Sequence, residues 1–536
     1  MAAAAGAPAF ARIGDYLAHH AARDPDRDAM VFGLGRTSYR ALLEGADRLA
    51  AALIASGVRK GDRVALLSTP RPEYFTLHMA AARIGAVFLG LNPRHKPGEM
   101  LAVLQDARPR LLFALAGFEG RDFRAGIGAI AAACGSIERV VIFGGEAPTG
   151  MMGLAAYLET SAGTSAAVLE AAVRAVAPED PLAIVYSSGS TGRRKGAVLT
   201  HRNFAAVYSR AAEIWRATPL RQINNYPIDH IGCIGDVATC NLVAGGTQIF
   251  MERFDAGASL AAIEREGITV WGQEVAMFQR AVAHETFART DFSSLQLIWW
   301  AGAPAPASLV DRLLSTGARL STCWGMSETC GPVTFAGPTR DRHALIDNVG
   351  RPAPGFRIEL CDAGGAPVPA GEVGEIRIAG DCVMAGYFNR PEETRATLGE
   401  DGRLRTGDLA RARADGALAL VGRMTEMYKS GGYNIYPREI ELALEAHPAV
   451  ALVAVVRAPD PDWQEVGHAF LLPRAGGTLD PAALESWCRE RLANYKVPKR
   501  FWVRAELPLL ASGKIDRKAL EAEAAASVAA AARGGT

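Results

Sequence analysis

Tyr186-Ser-Ser-Gly-Ser-Thr-Gly-Arg-Arg-Lys-Gly196 follows an apolar, strand-like run, Leu182 to Val185. Gly189 and Gly192 let backbone N–H groups come close to an anion. The hydroxyls of Ser187, Ser188, Ser190 and Thr191 add donors, and Lys195 adds a point charge. A turn of this chemistry suits a polyphosphate. It is not a Walker A loop, because Lys195 is followed by Gly196 and the GxxxxGK spacing fails, and it is not a dinucleotide fingerprint. The competing reading is a Ser/Gly-rich surface turn.

Outward from this loop, helical and strand patterns alternate. Tyr39 to Ile54 carries apolar residues at Leu42, Leu43, Ala46, Leu49, Ala50, Leu53 and Ile54, a helical spacing. Val64 to Leu67 reads as a strand, Glu73 to Ile84 as a helix and Ala86 to Leu89 as a strand. Such alternation predicts βαβ units with mixed or parallel sheets. No repeat of solenoid period occurs. The pattern restarts near Gly422-Arg-Met-Thr-Glu426, after hairpin-like strands with Asp415-Gly416 as a turn. Beyond it, Glu439 to Ala446 reads as a helix and Ala449 to Val456 as a strand. Ser430-Gly-Gly432 is either a flexible joint or an ordinary β-turn.

A chain of 536 residues exceeds one ordinary domain, and 49% apolar residues suffice for large cores. A net charge of +1 argues against general nucleic-acid or anionic-membrane binding, which need a basic field. Cys134, Cys233, Cys240, Cys323, Cys330, Cys361, Cys382 and Cys488 form no CxxC and no zinc spacing, so they read as reduced thiols of a cytoplasmic protein. The start lacks the basic and apolar regions of a signal peptide, and no stretch reads as a transmembrane segment. The alanine-rich tail from Glu521 reads as a fraying helix.

The loop resembles the phosphate loop of the adenylate-forming superfamily: acyl-CoA synthetases, amino-acid adenylation domains and luciferases. That pattern reads roughly Tyr-Thr-Ser-Gly-Thr-Thr-Gly-x-Pro-Lys-Gly. This chain departs at Ser187 and Ser190, which keep the hydroxyl, and at Arg194, where proline is usual. Further segments resemble the family in the family's order. They are Asn225-Tyr-Pro-Ile-Asp-His-Ile-Gly232, Ala301-Gly-Ala-Pro304, Trp324-Gly-Met-Ser-Glu-Thr329, Gly374-Glu-Ile376, Gly386-Tyr387, Arg405-Thr-Gly-Asp408 and Gly422-Arg423. Lys429-Ser-Gly-Gly-Tyr-Asn-Ile-Tyr-Pro-Arg-Glu-Ile-Glu441 and Leu507-Pro-Leu-Leu-Ala-Ser-Gly-Lys514 complete the series.

The resemblance implies an α/β fold: a large N-terminal domain, residues 1–421, of mixed sheets flanked by helices plus a β-subdomain. A hinge at 422–426 and a small mobile α+β C-terminal domain, 427–536, complete it. It implies ATP, Mg²⁺ and coenzyme A as cofactors and a small carboxylic acid as substrate. Lys514 is the implied catalytic cation at the carboxylate and α-phosphate; a solvated surface lysine is the plain alternative. Glu328 is implied to hold Mg²⁺, with Thr191 assisting, since hard cations take oxygen ligands. The nucleotide is implied to rest on Ser187, Ser188, Gly189, Ser190, Thr191, Gly192 and Lys195. Adenine would lie on Gly302, Ala303, Pro304, Trp324, Gly325, Met326 and Ser327, with Trp324 stacking where tyrosine is usual. Asp408, with Arg423 nearby, would bind the ribose.

His230 is implied to gate the passage between acyl pocket and thiol tunnel; a satisfied core histidine competes. In the second half-reaction the C-terminal domain reorients. Lys429, Ser430, Gly431, Gly432 and Tyr433 then face the intermediate, with the glycines leaving room for a pantetheine arm. Asp460-Pro-Asp-Trp463 loosely resembles a segment near the thiol's entry. The pivot position, often Asp or Lys in the family, is Thr425 followed by Glu426. An acid–CoA ligase, a stand-alone domain loading a carrier protein, and a non-enzymatic nucleotide binder all stay open. Trp299 and Trp300 point to an aromatic-rich or shortened acyl pocket, or to plain core. Aromatic, medium-chain and long-chain acids stay open, as does a homodimer.

Overall fold

In the computed structural model of the chain, residues 9–187, 194–474, 476–510 and 515–534 are described. The helix Tyr39–Ala55 forms where its periodicity predicts. Ser38 caps it by accepting from the Ala41 N–H, and Leu42, Ala46, Leu49, Ala50 and Leu53 turn inward. It packs on the helix Pro72–Ile84, which Pro72 starts and Gly85, at φ 71°, ends in the left-handed region.

Among the described residues the strands build two large sheets. The nine-stranded one runs Arg351–Pro352, Gly331–Thr339, Arg319–Met326, Leu297–Ala301, Val270–Glu274, Arg221–Asn224, Thr247–Phe250, Asp28–Phe32, Gly35–Ser38. The eight-stranded one runs Gly386–Tyr387, Lys195–Thr200, Pro181–Ser187, Val87–Leu91, Arg63–Leu67, Leu111–Leu115, Arg139–Phe143, Met152–Gly153. Both are parallel in the middle and antiparallel at an edge.

Alternation splits each strand between two cores. Val64 and Leu66 face the central core, which also holds residues of both sheets and of the helix His201–Ile214; Ala65 and Leu67 face an outer core. Trp299 likewise enters the central core, while Trp300 enters the core beneath the helices Ala256–Glu266 and Ala307–Leu314. The parallel strands therefore read as continuous apolar runs, as sheets covered on both faces do.

An antiparallel four-stranded sheet follows: Arg357–Cys361, Val373–Ala379, Leu404–Ala412 and Leu418–Arg423. Asp415-Gly416 is the turn between its last two strands. A final sheet of Tyr428–Ser430, Tyr433–Ile435, Val450–Asp460, Gln464–Pro473 and Arg500–Val503 carries the helices Pro437–Glu445, Pro481–Arg489 and Arg517–Gly534. This last unit has its own two cores. It touches the preceding body where Gln279 Nε2 donates to the Ala451 carbonyl at 3.3 Å. The chain changes sheets within the turn 424–427, where the Met427 N–H bonds the Arg423 carbonyl. Among the described residues no helix is long and apolar enough to cross a membrane.

Candidate active site

The glycine- and serine-rich stretch joins two adjacent antiparallel strands: Ser187 pairs with Lys195, and Tyr186 with Gly196. Ser188, Gly189, Ser190, Thr191 and Gly192 lie outside the described residues. Gly196 is required by close packing, because a Cβ there would sit 2.6 Å from Ile184 Cγ2 and 2.9 Å from the Tyr186 ring. Lys195 Nζ lies over the ring of Tyr387, 5.2 Å from its centroid. The Tyr387 hydroxyl donates to Glu328 Oε1 at 2.8 Å. The residues expected to meet phosphate and metal, Lys195 and Glu328, are thus joined through one phenol. Burial, then the Glu328 charge, push the Tyr387 pKa up and keep it a donor. Tyr387 belongs to a two-residue strand paired on 195–200 at Ala197. The sequence carries no local sign of this role, because a strand so short has no periodicity to read.

A second group gathers where two other strands end. Asp408 is cross-strand partner of Arg423, whose Nε lies 2.9 Å from Asp408 Oδ1. Its Oδ2 accepts from the indole Nε1 of Trp324 at 2.9 Å. The Asp408 charge raises the Arg423 pKa further. Trp324 is buried, and its indole N–H is spent on the very carboxylate expected to hold ribose. Each carboxylate oxygen retains a lone pair for a ligand hydroxyl. Gly302 sits at the end of strand 297–301 with φ 83°, a left-handed turn that leaves Ala303 exposed at the strand tips. Gly325 permits the hairpin that carries Met326, Ser327 and Glu328, since a Cβ there would meet the Gly331 carbonyl oxygen at 1.9 Å. Trp324→Phe removes the bond to Asp408 and keeps the ring. The KM for ATP in pyrophosphate exchange should rise about tenfold, equivalent to ~1.4 kcal/mol, as for a hydrogen bond to a charged group. A KM within twofold of the parent would show that Trp324 does not hold Asp408 in place.

Lys514 lies outside the described residues. Its neighbours are well held: Leu509 pairs with Ile515, and the Asp516 N–H bonds the Pro508 carbonyl at 2.8 Å. Arg517 reaches Glu426 at 3.8 Å, and both charges act on Arg423. Arg517, three residues beyond Lys514, therefore lies beside the Asp408–Arg423 pair.

The turn 226–230 is closed by the His230 N–H on the Pro227 carbonyl at 3.0 Å. It presses on Gly90, where a Cβ would lie 2.3 Å from the Ile228 carbonyl oxygen. His230 Nδ1 accepts from the Gly232 N–H at 3.0 Å, and its ring lies parallel to that of Tyr226, 6.4 Å apart. A π-helix, Gly232–Thr239, follows; such bulges cluster at functional sites, and periodicity alone did not reveal it. Tyr226 faces a cavity of about 50 Å³, whose other walls include Thr69, Asn92, Gln273, Glu274 and Met277. Arg194, the departure from proline, bonds Glu99 at 3.2 Å and touches His95 Nε2 at 3.0 Å, and His95 lies 3.6 Å from Asp229. The hairpin of strands 181–187 and 195–200 is thereby tied to the turn that carries His230.

Lys429, Ser430 and Tyr433 flank a hairpin in which Ser430 pairs with Tyr433. Gly431 and Gly432 hold φ 55° and 87°, so the turn itself demands glycine. Trp463 packs over Gly431, where a Cβ would lie 2.6 Å from its ring, whereas a Cβ at Gly432 would meet nothing within 4 Å. Tyr433 is exposed and stacks on Tyr495 at 4.3 Å.

The AMP-binding enzyme family model matches residues 17–388, and the AMP-binding enzyme C-terminal domain matches 439–514. Feruloyl-CoA synthase of Amycolatopsis sp. is 36% identical over 507 residues, 94% of this chain and 97% of that one. Indoleacetate–CoA ligase of Aromatoleum aromaticum is 34% identical over 506 residues, 94% and 96% of the two chains. Among solved structures, ATP-bound MatB from Rhodopseudomonas palustris superposes with a TM-score of 0.84 at 29% identity, covering 95% of this chain and 98% of that one. The chain belongs to the AMP-binding enzyme family, the adenylate-forming superfamily. Within it, the protein is an acid–thiol ligase of the AMP-forming acyl-CoA synthetase type.

Proposed function

We propose that this AMP-forming acid–CoA ligase assigns its two half-reactions to the residues described above. In the first, a carboxylate oxygen attacks the α-phosphorus of ATP. The bond from that phosphorus to pyrophosphate breaks, and the acyl-adenylate forms. Ser187, Ser188, Gly189, Ser190, Thr191, Gly192 and Lys195 hold the phosphates, and Lys514 neutralises charge shared between the two reacting anions. Asp408 and Arg423 hold the ribose, while Gly302, Ala303, Pro304, Trp324, Gly325, Met326 and Ser327 surround adenine. Among the described residues no three His, Cys, Asp or Glu side chains gather as a metal cage. That fits a Mg²⁺ held by Glu328, Thr191 and phosphate oxygens, which suits a cation that keeps few protein ligands. When bound it would offset charge on the departing pyrophosphate.

In the second half-reaction the coenzyme A sulfur attacks the acyl carbon and AMP leaves. The C-terminal lobe, 427–536, turns about 422–426 on the body 1–421. Lys429, Ser430, Gly431, Gly432 and Tyr433 then line the thiol's approach, and His230 guards its inner end. The observation that carries this reading is the convergence of Lys195, Tyr387 and Glu328 on one side and Trp324, Asp408 and Arg423 on the other. The test is AMP release over a panel of acids, with coenzyme A present and absent. The expected result is acid-dependent AMP whose turnover rises with coenzyme A and yields a thioester. Thioester formed only on a carrier protein would replace the coenzyme.

A further inference from the structure

Strand register places three residues abreast on one face of the nine-stranded sheet: Gly272, Trp299 and Ser321. Two residues nearer the strand ends on that face stand Glu274, Ala301 and Cys323. Trp299 and Cys323 lie in the same core as Tyr226, with Ala301 packed against it. Glu274 and two small side chains, Ala301 and Cys323, therefore form the upper layer, and one indole the layer below. The step between the layers is roughly 6.6 Å, two residues at about 3.3 Å each.

The indole is wedged. A Cβ at Gly272 would lie 2.1 Å from its ring, so the ring rests on bare backbone. Trp215 stacks behind it at 4.5 Å and 6°, with Phe335 edge-on to Trp215 at 5.4 Å. Trp215 is itself pinned by a bond from its Nε1 to Ser321 Oγ at 3.3 Å. Tyr226, on the cavity wall, lies nearly parallel to Trp299 at 6.4 Å. Trp299 cannot withdraw without displacing the whole stack, and cores resist such displacement.

We propose that Trp299 is the floor of the acyl pocket and restricts the acid to a compact one, a single aromatic ring with its side arm, excluding long alkyl chains. This rests on the ligase reading above. A phenyl ring occupies one layer; a palmitoyl chain must pass the floor.

The experiment follows AMP release by the full-length protein with benzoate, cinnamate, hexanoate, decanoate and palmitate, for the parent, Trp299→Ala and Trp299→Phe. The parent should favour the ring acids. Trp299→Ala should raise the kcat/KM ratio of decanoate to benzoate about 10- to 200-fold, the range set by adding or removing small groups in an apolar pocket. Trp299→Phe should move it the same way by less, and decides the matter should Trp299→Ala fail to fold by circular dichroism. A parent that uses palmitate as readily as benzoate, or a folded variant with an unmoved ratio, overturns the proposal. No AMP from the parent with any acid, across aromatic, medium- and long-chain classes, overturns the ligase reading itself, and this inference with it.

Discussion

Lys514→Ala should lower acid-dependent pyrophosphate exchange by about 10²- to 10³-fold, the loss seen when one preorganised donor is removed from developing charge. The same variant should still pass the acyl group to coenzyme A from a supplied acyl-adenylate, at a rate within a few-fold of the parent. The asymmetry follows from chemistry. Forming the adenylate brings together a carboxylate and a polyphosphate, which repel, whereas a thiol attacking a mixed anhydride meets no such barrier. The described residues on either side of position 514 are held in place, Leu509 by pairing with Ile515 and Arg517 beside Glu426. Equal loss of both activities would refute the division of labour.

Glu441→Ala should destabilise the C-terminal lobe by about 3–5 kcal/mol, the cost of leaving buried cations without their counter-charge. Glu441 is 2% exposed, accepts from Arg517 Nη2 at 2.6 Å and from the Val455 N–H at 2.9 Å, and lies 3.5 Å from Arg438. Arg438 is shared with Glu445 at 2.7 Å. Burial pushes the Glu441 pKa up, but the guanidiniums of Arg517 and Arg438 and the Val455 N–H outweigh it, and the net shift is downward. A folded-state pKa below the unfolded value means stability that is fully present above about pH 4.3 and is lost as pH falls through the depressed value. Urea unfolding of the lobe should therefore lose its midpoint on acidification below that point in the parent, and show a flatter acid limb in the variant. A midpoint change worth less than ~1 kcal/mol at neutral pH would remove the network from the account.

Much of the fold was legible because its signals are local. The helix at 39–55 shows its buried face every three or four residues, and Ser38 marks its start. Asp415-Gly416 announces a hairpin turn, and the restart after residue 426 coincides with a change of sheet. Of the candidate site, residue types and order were legible and partnerships were not. The bond from Trp324 to Asp408 spans 84 residues, and that from Tyr387 to Glu328 spans 59. The Trp215–Trp299 stack and the Arg517–Glu441 pair are likewise products of topology. Arg194 was visible as a departure from proline, while its anchors, His95 and Glu99, lie almost a hundred residues upstream. Periodicity cannot connect such positions; only the sheet order does.

Glu426 sits between a guanidinium fixed to the large body, Arg423, and one delivered by the lobe, Arg517. A rotation that carries Arg517 away leaves this carboxylate answering to Arg423 alone, in competition with Asp408 for the same cation. The sugar end of the nucleotide would thus sense the lobe's departure as a weakened grip on its own anchor. Release of AMP and the return stroke would be coupled through a shared counter-ion.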